Sequence, residues 1–243
     1  MDLRAILFDV NGTLIDIETD EGQERIYRRI ARLLCYQGIV CAPERLRDRY
    51  FGLVEAQRRA SDERYPEFDV IAVWRTLLEE VAPDLPAERR ADLAPMMALL
   101  QRVLARKRLR RHPGVRWALN TLRARYSLGA VSDAQPLYAL PELHEVGLGD
   151  LFDPIIISGR YGFTKPDPRL FAAALAALHL QPDQAIYVGN DMYHDVYGAQ
   201  QAGLRAVFFP TRFGRKAHDG VRPDAVIRAF HELPDVVAAL AAG

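Results

Sequence analysis

The stretch Ala5-Ile6-Leu7-Phe8-Asp9-Val10-Asn11-Gly12-Thr13 joins four apolar residues directly to an acid and a glycine-containing turn. A short apolar run closed by turn residues predicts a buried strand, and Asp9 then stands at its carboxyl tip. In open α/β sheets ligands bind beyond the carboxyl ends of the strands, so Asp9 is a candidate nucleophile. Gly12 allows the backbone to turn away without a Cβ clash. Asn11 is the unexpected residue, because an amide cannot exchange a proton as a carboxyl group does.

After this strand the texture changes. From about Glu18 to Arg111 the sequence reads as helix: Ile26, Ile30, Leu33 and Leu34 share one face, and Leu46, Tyr50, Leu53 and Val54 repeat the spacing. Trp74, Leu77, Leu78 and Val81 form a third stripe stopped by Pro83 and Pro86, and Met96 to Leu109 a fourth after Pro95. From His112-Pro113-Gly114 onward, apolar runs at Ser127 to Val131, Pro154 to Ile157, Ala185 to Val188 and Arg205 to Phe209 predict strands. Helices are predicted over Val115 to Tyr126, Pro168 to His179 and Met192 to Ala202. This alternation implies an α/β fold, a Rossmann-like core of five parallel strands with helices on both faces. The expected organisation is a discontinuous core of residues 1–16 with 112–243 and an inserted all-helical cap of residues 17–111, hinged near Asp16 and Arg111.

A shared sheet gathers the polar strand tips at one edge. Beside Asp9 come Ser132 and Asp133 from the second strand, Lys165 from the loop after the third, and Asn190, Asp191 and Asp195 after the fourth. Carboxylate, hydroxyl, lysine and acidic cluster together suit an anion. Asp9 would attack phosphorus, Ser132 and the backbone amides near Asn11, Gly12 and Asp133 would donate to phosphate oxygens, and Lys165 would offset charge. A hard cation, Mg2+, would fit Asp9, the Asn11 carbonyl and a carboxylate of the last tip.

Composition bounds the partners. The 243 residues are 49% apolar and 26% charged, as in an ordinary globular protein, and 32 basic residues balance 32 acidic ones. No overall field recruits nucleic acid or an anionic membrane. The most apolar helical stretch, Leu170 to Leu178, is too short to span a bilayer. Cys35 and Cys41 lack zinc-site spacing, and Met1-Asp2 leads into a strand without a signal-like pattern, so a cytoplasmic setting is expected. The basic run Arg106-Lys107-Arg108-Leu109-Arg110-Arg111 reads as the solvated end of a helix, where cations complement the dipole.

Four segments in this order resemble the haloacid dehalogenase superfamily with its inserted helical cap: Phe8-Asp9-Val10-Asn11-Gly12-Thr13-Leu14, Val131-Ser132-Asp133, Lys165-Pro166-Asp167-Pro168, and Val188-Gly189-Asn190-Asp191 through Asp195-Val196-Tyr197-Gly198-Ala199. The resemblance covers nearly the whole chain. It implies a Mg2+-dependent phosphatase or phosphotransferase that passes through an aspartyl-phosphate on Asp9 and acts on a small phosphorylated metabolite chosen by the cap. It places Asp9, Asn11, Ser132 and Lys165 in catalysis, Gly12, Thr13, Ser132, Asp133 and Lys165 around the substrate, and Asp9, Asn11, Asn190, Asp191 and Asp195 around the metal.

Two positions depart from the family pattern. Asn11 stands where the phosphatases carry the aspartate that protonates the leaving oxygen, which predicts slow or leaving-group-selective catalysis. Asn190 stands where the first acid of the last segment falls, so Asp191 is expected to take over as metal ligand, with Asp195 orienting Lys165 or metal-bound water. A metal-free 2-haloacid dehalogenase is the rival reading, since halide leaves without a proton. Against it, Asp133 would repel a haloacid carboxylate. A catalytically impaired binding protein ranks third, against the retained Asp9, Ser132 and Lys165. Taken singly, Ser132, Asp133, Asn190 and Asp191 read as helix caps, Lys165 as a loop lysine and Asn11 as turn chemistry; their joint placement favours the site.

Overall fold

A computed structural model describes residues 2–242. The chain divides into two compact units, one of Met1–Ile17 with Leu109–Gly243 and one of Glu18–Arg108.

In the first unit, among the described residues, six strands form one parallel sheet: β1 (Ala5–Phe8), β4 (Ser127–Ser132), β5 (Ile155–Ile157), β6 (Ala185–Gly189), β7 (Arg205–Phe208) and β8 (Ala225–Val226). Their spatial order is β5-β4-β1-β6-β7-β8, which puts β1 near the middle. Its neighbours are in register with Phe8 opposite Ala130 on β4 and Val188 on β6, so three strand tips end side by side. Successive β1 side chains alternate between two cores, as the twofold period of a strand requires. Ile6 and Phe8 pack with Val115, Leu119 and Val237 on one face, and Ala5 and Leu7 with Leu170, Phe171 and Ala199 on the other. The covering helices are α5 (Val115–Leu122), α7 (Pro168–Leu178), α8 (Gly198–Gln201) and α9 (Leu233–Ala242).

The sheet has one strand more than the five expected, because β8 comprises two residues and carries no periodic signal. The structure also places a helix, α6 (Pro136–Glu145), where no helix is expected from periodicity. The segment predicted as one helix from Met192 is a π-helix, Met192–Tyr197, running into α8.

The second unit holds α1 (Glu24–Cys35), α2 (Pro43–Ala60), α3 (Val70–Val81) and α4 (Ala87–Ala105). The stripes foreseen on α1, α2 and α3 are buried there except for the half-buried Leu33 and Val81, and a polar chain runs through this core: Trp74 Nε1 donates to Gln101 Oε1 at 2.9 Å and Gln101 Nε2 to the Tyr27 hydroxyl at 3.0 Å. Asp69 caps α3 by accepting the amides of Ile71 and Ala72.

The fourth helix differs from expectation at both ends. It starts before Pro95 and ends at Ala105, and the basic run forms a strand, β3 (Arg106–Arg111), paired with β2 (Ile15–Thr19). The helix-dipole explanation of that run therefore fails. Its charges are matched along the ribbon, Lys107 with Asp20 at 2.8 Å, Arg108 with Glu18 at 2.5 Å and Arg110 with Asp16 at 3.0 Å. No helix among the described residues is long and apolar enough to cross a membrane.

Candidate active site at the strand tips

Asp9 follows β1 directly and is buried, with its amide donating to Val188 O on the neighbouring strand. Both carboxylate oxygens are engaged: Oδ1 lies 2.8 Å from Lys165 Nζ, and Oδ2 accepts from Thr13 Oγ1 at 2.6 Å. Burial pushes its pKa up to about 6, opposed by the Lys165 charge and reinforced by Asp195.

Lys165 reaches in from the loop that precedes α7, which begins with Asp167 as cap and Pro168 in its first turn. Its ammonium donates to Asp9 Oδ1, to Asp195 Oδ1 at 2.7 Å, to the Tyr187 hydroxyl at 3.1 Å and to Val131 O at 3.3 Å. Desolvation works against the charged form, but Asp195 and Asp9 outweigh it and hold the lysine pKa well above its ordinary value. Lys165 is thus a fixed cation between two carboxylates.

Asp195 serves this lysine. Oδ1 accepts from Lys165 and Tyr187, while Oδ2 accepts the amides of Asn190 and Asp191 at 2.9 Å each. Its place is behind the lysine, the position expected of a residue that orients Lys165. Asp191 is committed too: Oδ1 caps the π-helix through the amides of Tyr193 and His194, and Oδ2 accepts Arg215 N–H, each at 2.8 Å. Burial raises its pKa, and these amides overcome that and hold it below its ordinary value. The expected takeover of metal binding by Asp191 therefore meets a carboxylate already satisfied by three backbone donors.

Thr13, expected at the substrate, is fully buried and lies behind the nucleophile position. Its hydroxyl donates to Asp9 Oδ2 and lies 3.2 Å from Asn190 Oδ1, so it helps hold the carboxylate in place. Gly12 has φ +93°, and a Cβ there would come within 2.6 Å of Asn190 Nδ2; the glycine is what lets the turn pass the last segment.

Ser132 ends β4 with its Oγ buried and without a hydrogen-bond partner among the described residues. An unsatisfied buried hydroxyl is costly unless a ligand completes it. Asp133 accepts Lys165 N–H at 2.9 Å, and desolvation pushes its pKa up to about 7 against the pull of Lys165.

These groups surround a cavity of about 180 Å³ lined by Asp9, Asn11, Asp133, Lys165, Asn190 and Asp191, with His194, Asp195, Phe213 and Gly214 completing it. A larger cleft of about 570 Å³ along residues 109–117 shares none of them. Sequence reasoning assigns no role to His194, Tyr187, Phe213 or Gly214. Tyr187 carried a legible signal, since a tyrosine inside an aliphatic buried strand must find a partner for its hydroxyl.

A six-stranded parallel sheet with an aspartate at the tip of a central strand, a buried lysine bound to it and an acidic residue anchoring that lysine define a Rossmann-like α/β core with a charged site at its strand tips. The chain belongs to the haloacid dehalogenase-like hydrolases, whose family model matches residues 3–203. It is 29% identical to glyceraldehyde 3-phosphate phosphatase of Pyrococcus abyssi over 85% of this chain and 81% of that one. The same enzyme of Methanopyrus kandleri matches at 29% over 98% of this chain and 99% of that one. The match to its Pyrococcus furiosus counterpart, at 36%, spans 45% of each chain. Among solved structures, a phosphatase of this family from Thermococcus onnurineus superposes with a TM-score of 0.60 at 26% identity, covering 97% of this chain and 98% of that one. A 2-haloacid dehalogenase from Pseudomonas syringae superposes at 0.71 and 24% identity over 98% and 99%, which shows the shared fold.

Proposed function

We propose that this hydrolase is a phosphatase that cleaves a small phosphorylated metabolite through an aspartyl-phosphate on Asp9. The observation that carries the reading is the buried Asp9–Lys165 pair at 2.8 Å, opening on a cavity, with the unpartnered Ser132 hydroxyl at the end of the neighbouring strand. The glyceraldehyde 3-phosphate and phosphoserine phosphatases among its relatives support a small phosphoester as substrate.

Asp9 attacks phosphorus, the bond to the leaving oxygen breaks, and water then releases phosphate from the acyl-phosphate and restores the carboxylate. Ser132 Oγ donates to a phosphoryl oxygen, and Lys165 balances the charge that builds between carboxylate and phosphate. Asp195 and Tyr187 hold the lysine in place. Asn11 supplies no proton to the leaving group, so acyl phosphates and anhydrides, whose leaving groups need none, are favoured over alkyl esters.

The donors suit Mg2+ in kind. Asp9, Asn11 and Asn190 line the same cavity and offer a carboxylate, a backbone carbonyl and an amide oxygen, all hard donors. With an amide at 190 the set carries one fewer negative charge than a pair of carboxylates. A bound cation would neutralise phosphate charge facing Asp9.

The amide at Asn11 also suits a dehalogenase, in which halide leaves unprotonated, but the Asp133 carboxyl beside the lysine opposes a haloacid carboxylate. Assays of acetyl phosphate and chloroacetate side by side, with and without Mg2+, separate the readings. Phosphate release from acetyl phosphate without chloride release from chloroacetate is expected; chloride release alone would refute the phosphatase.

A further inference from the structure

We propose that residues 211–216 form a substrate-reading wall of the Asp9 cavity and that Asn190 latches this wall to the last acidic segment. The proposal rests on reading that cavity as the active site, and it gives the amide at 190 a purpose of its own.

Asn190 turns its two ends in different directions. Oδ1 faces Thr13, while Nδ2 donates to Thr211 Oγ1 at 2.9 Å and to Phe213 O at 3.3 Å. A carboxylate cannot donate, so an aspartate here would set an anionic oxygen against the Phe213 carbonyl. Two backbone links fix the same loop: Arg215 N–H donates to Asp191 Oδ2 at 2.8 Å, and Met192 N–H to Arg215 O at 3.0 Å. Gly214 permits the approach. Its φ is +75°, and a Cβ there would stand 2.5 Å from Asn190 O, so only glycine lets the loop lie this close. Lys216 Nζ closes the loop on itself by donating to the carbonyls of Thr211 and Phe213. Arg212 stacks over the Phe213 ring at 4.4 Å and pairs with Asp16 at 3.1 Å.

The outcome is an aromatic residue held at the rim of a cavity otherwise lined by acids, amides, a lysine and a histidine. The phosphoryl group belongs beside Lys165 and Ser132, which leaves the ring for the carbon part of the substrate. An apolar or aromatic carbon part gains there by burial, whereas a polyhydroxylated one loses hydration without a matching partner.

The test uses two readouts that do not depend on turnover. Trypsin cleavage after Arg212, Arg215 and Lys216 reports on the latch in Asn190→Asp and Thr211→Val, with circular dichroism confirming the fold. Removing the donor or its acceptor should speed cleavage at these bonds about tenfold relative to wild type. Unchanged cleavage in both variants would overturn the latch. Calorimetry with phenylphosphonate and methylphosphonate reports on the wall. Wild type should bind the phenyl compound about tenfold tighter, and Phe213→Ala should bring the ratio close to one. Equal affinities in wild type, or a ratio that survives Phe213→Ala, would overturn the wall, whether or not the protein proves to be a phosphatase.

Discussion

Lys165 Nζ lies 2.8 Å from Asp9 Oδ1, with both side chains almost wholly buried. A cation held at this distance in a low-dielectric site orients the carboxylate and keeps it anionic against desolvation. Asp195, on the other side of the lysine at 2.7 Å, fixes the ammonium and leaves the three groups with one net negative charge, which adds to burial in raising the Asp9 pKa.

Replacing Lys165 with Met leaves two buried carboxylates facing each other. Breaking a buried ion pair from one side costs about 3–5 kcal/mol. Urea denaturation should show a loss of this size, and a loss under about 1 kcal/mol would mean that the acids find other partners.

Tyr187→Phe removes a hydroxyl that touches both Lys165 and Asp195 and keeps the ring packed on Phe171 at 4.9 Å. The expected cost is about 1–2 kcal/mol by the same measurement. Catalysis should weaken in kcat more than in KM, because the lysine is loosened where charge develops.

Much of this site was legible in the chain. The apolar runs ending at Phe8, Val131 and Val188 placed Asp9, Ser132 and Asn190 at neighbouring tips, because a parallel sheet aligns the ends of strands of one polarity. What escaped was organised by tertiary contacts. The basic strand β3 looked like a helix terminus, since five charges in six residues have no apolar period and its partners Glu18 and Asp20 lie some 90 residues away in sequence. The wall at 211–216 is loop, fixed by single hydrogen bonds to Asn190 and Asp191 that no periodicity announces. The roles of Thr13 and Asp195 turn on which way each side chain points, which residue type alone leaves open.

Stability should depend on pH through Asp133, which faces Lys165, Asp195 and Asp9. Its folded pKa of about 7 exceeds the ordinary 3.8, so across that window the folded state binds the proton more tightly than the unfolded chain does. The stability this group contributes is present below the lower value and is lost as pH rises through about 7. Asp133→Asn keeps an acceptor for Lys165 N–H and removes the titration. Its denaturation midpoint should fall less than that of wild type between those two values. Parallel profiles would show that Asp133 does not titrate in this window.

Asn11→Asp adds the missing proton donor beside Asp9. Hydrolysis of alkyl and aryl phosphates should rise by about 10²- to 10⁴-fold, with a smaller gain for acetyl phosphate. Steady-state kinetics on the two substrate types decide it, and equal changes on both would sever leaving-group selectivity from Asn11.

The most direct measurement is mass spectrometry of enzyme mixed with acetyl phosphate and quenched in acid within the turnover time. One phosphoryl group should appear on the peptide that carries Asp9, and none on Asp9→Asn treated alike. Phosphate release with no covalent adduct, or an adduct on any other residue, would contradict Asp9 as the nucleophile.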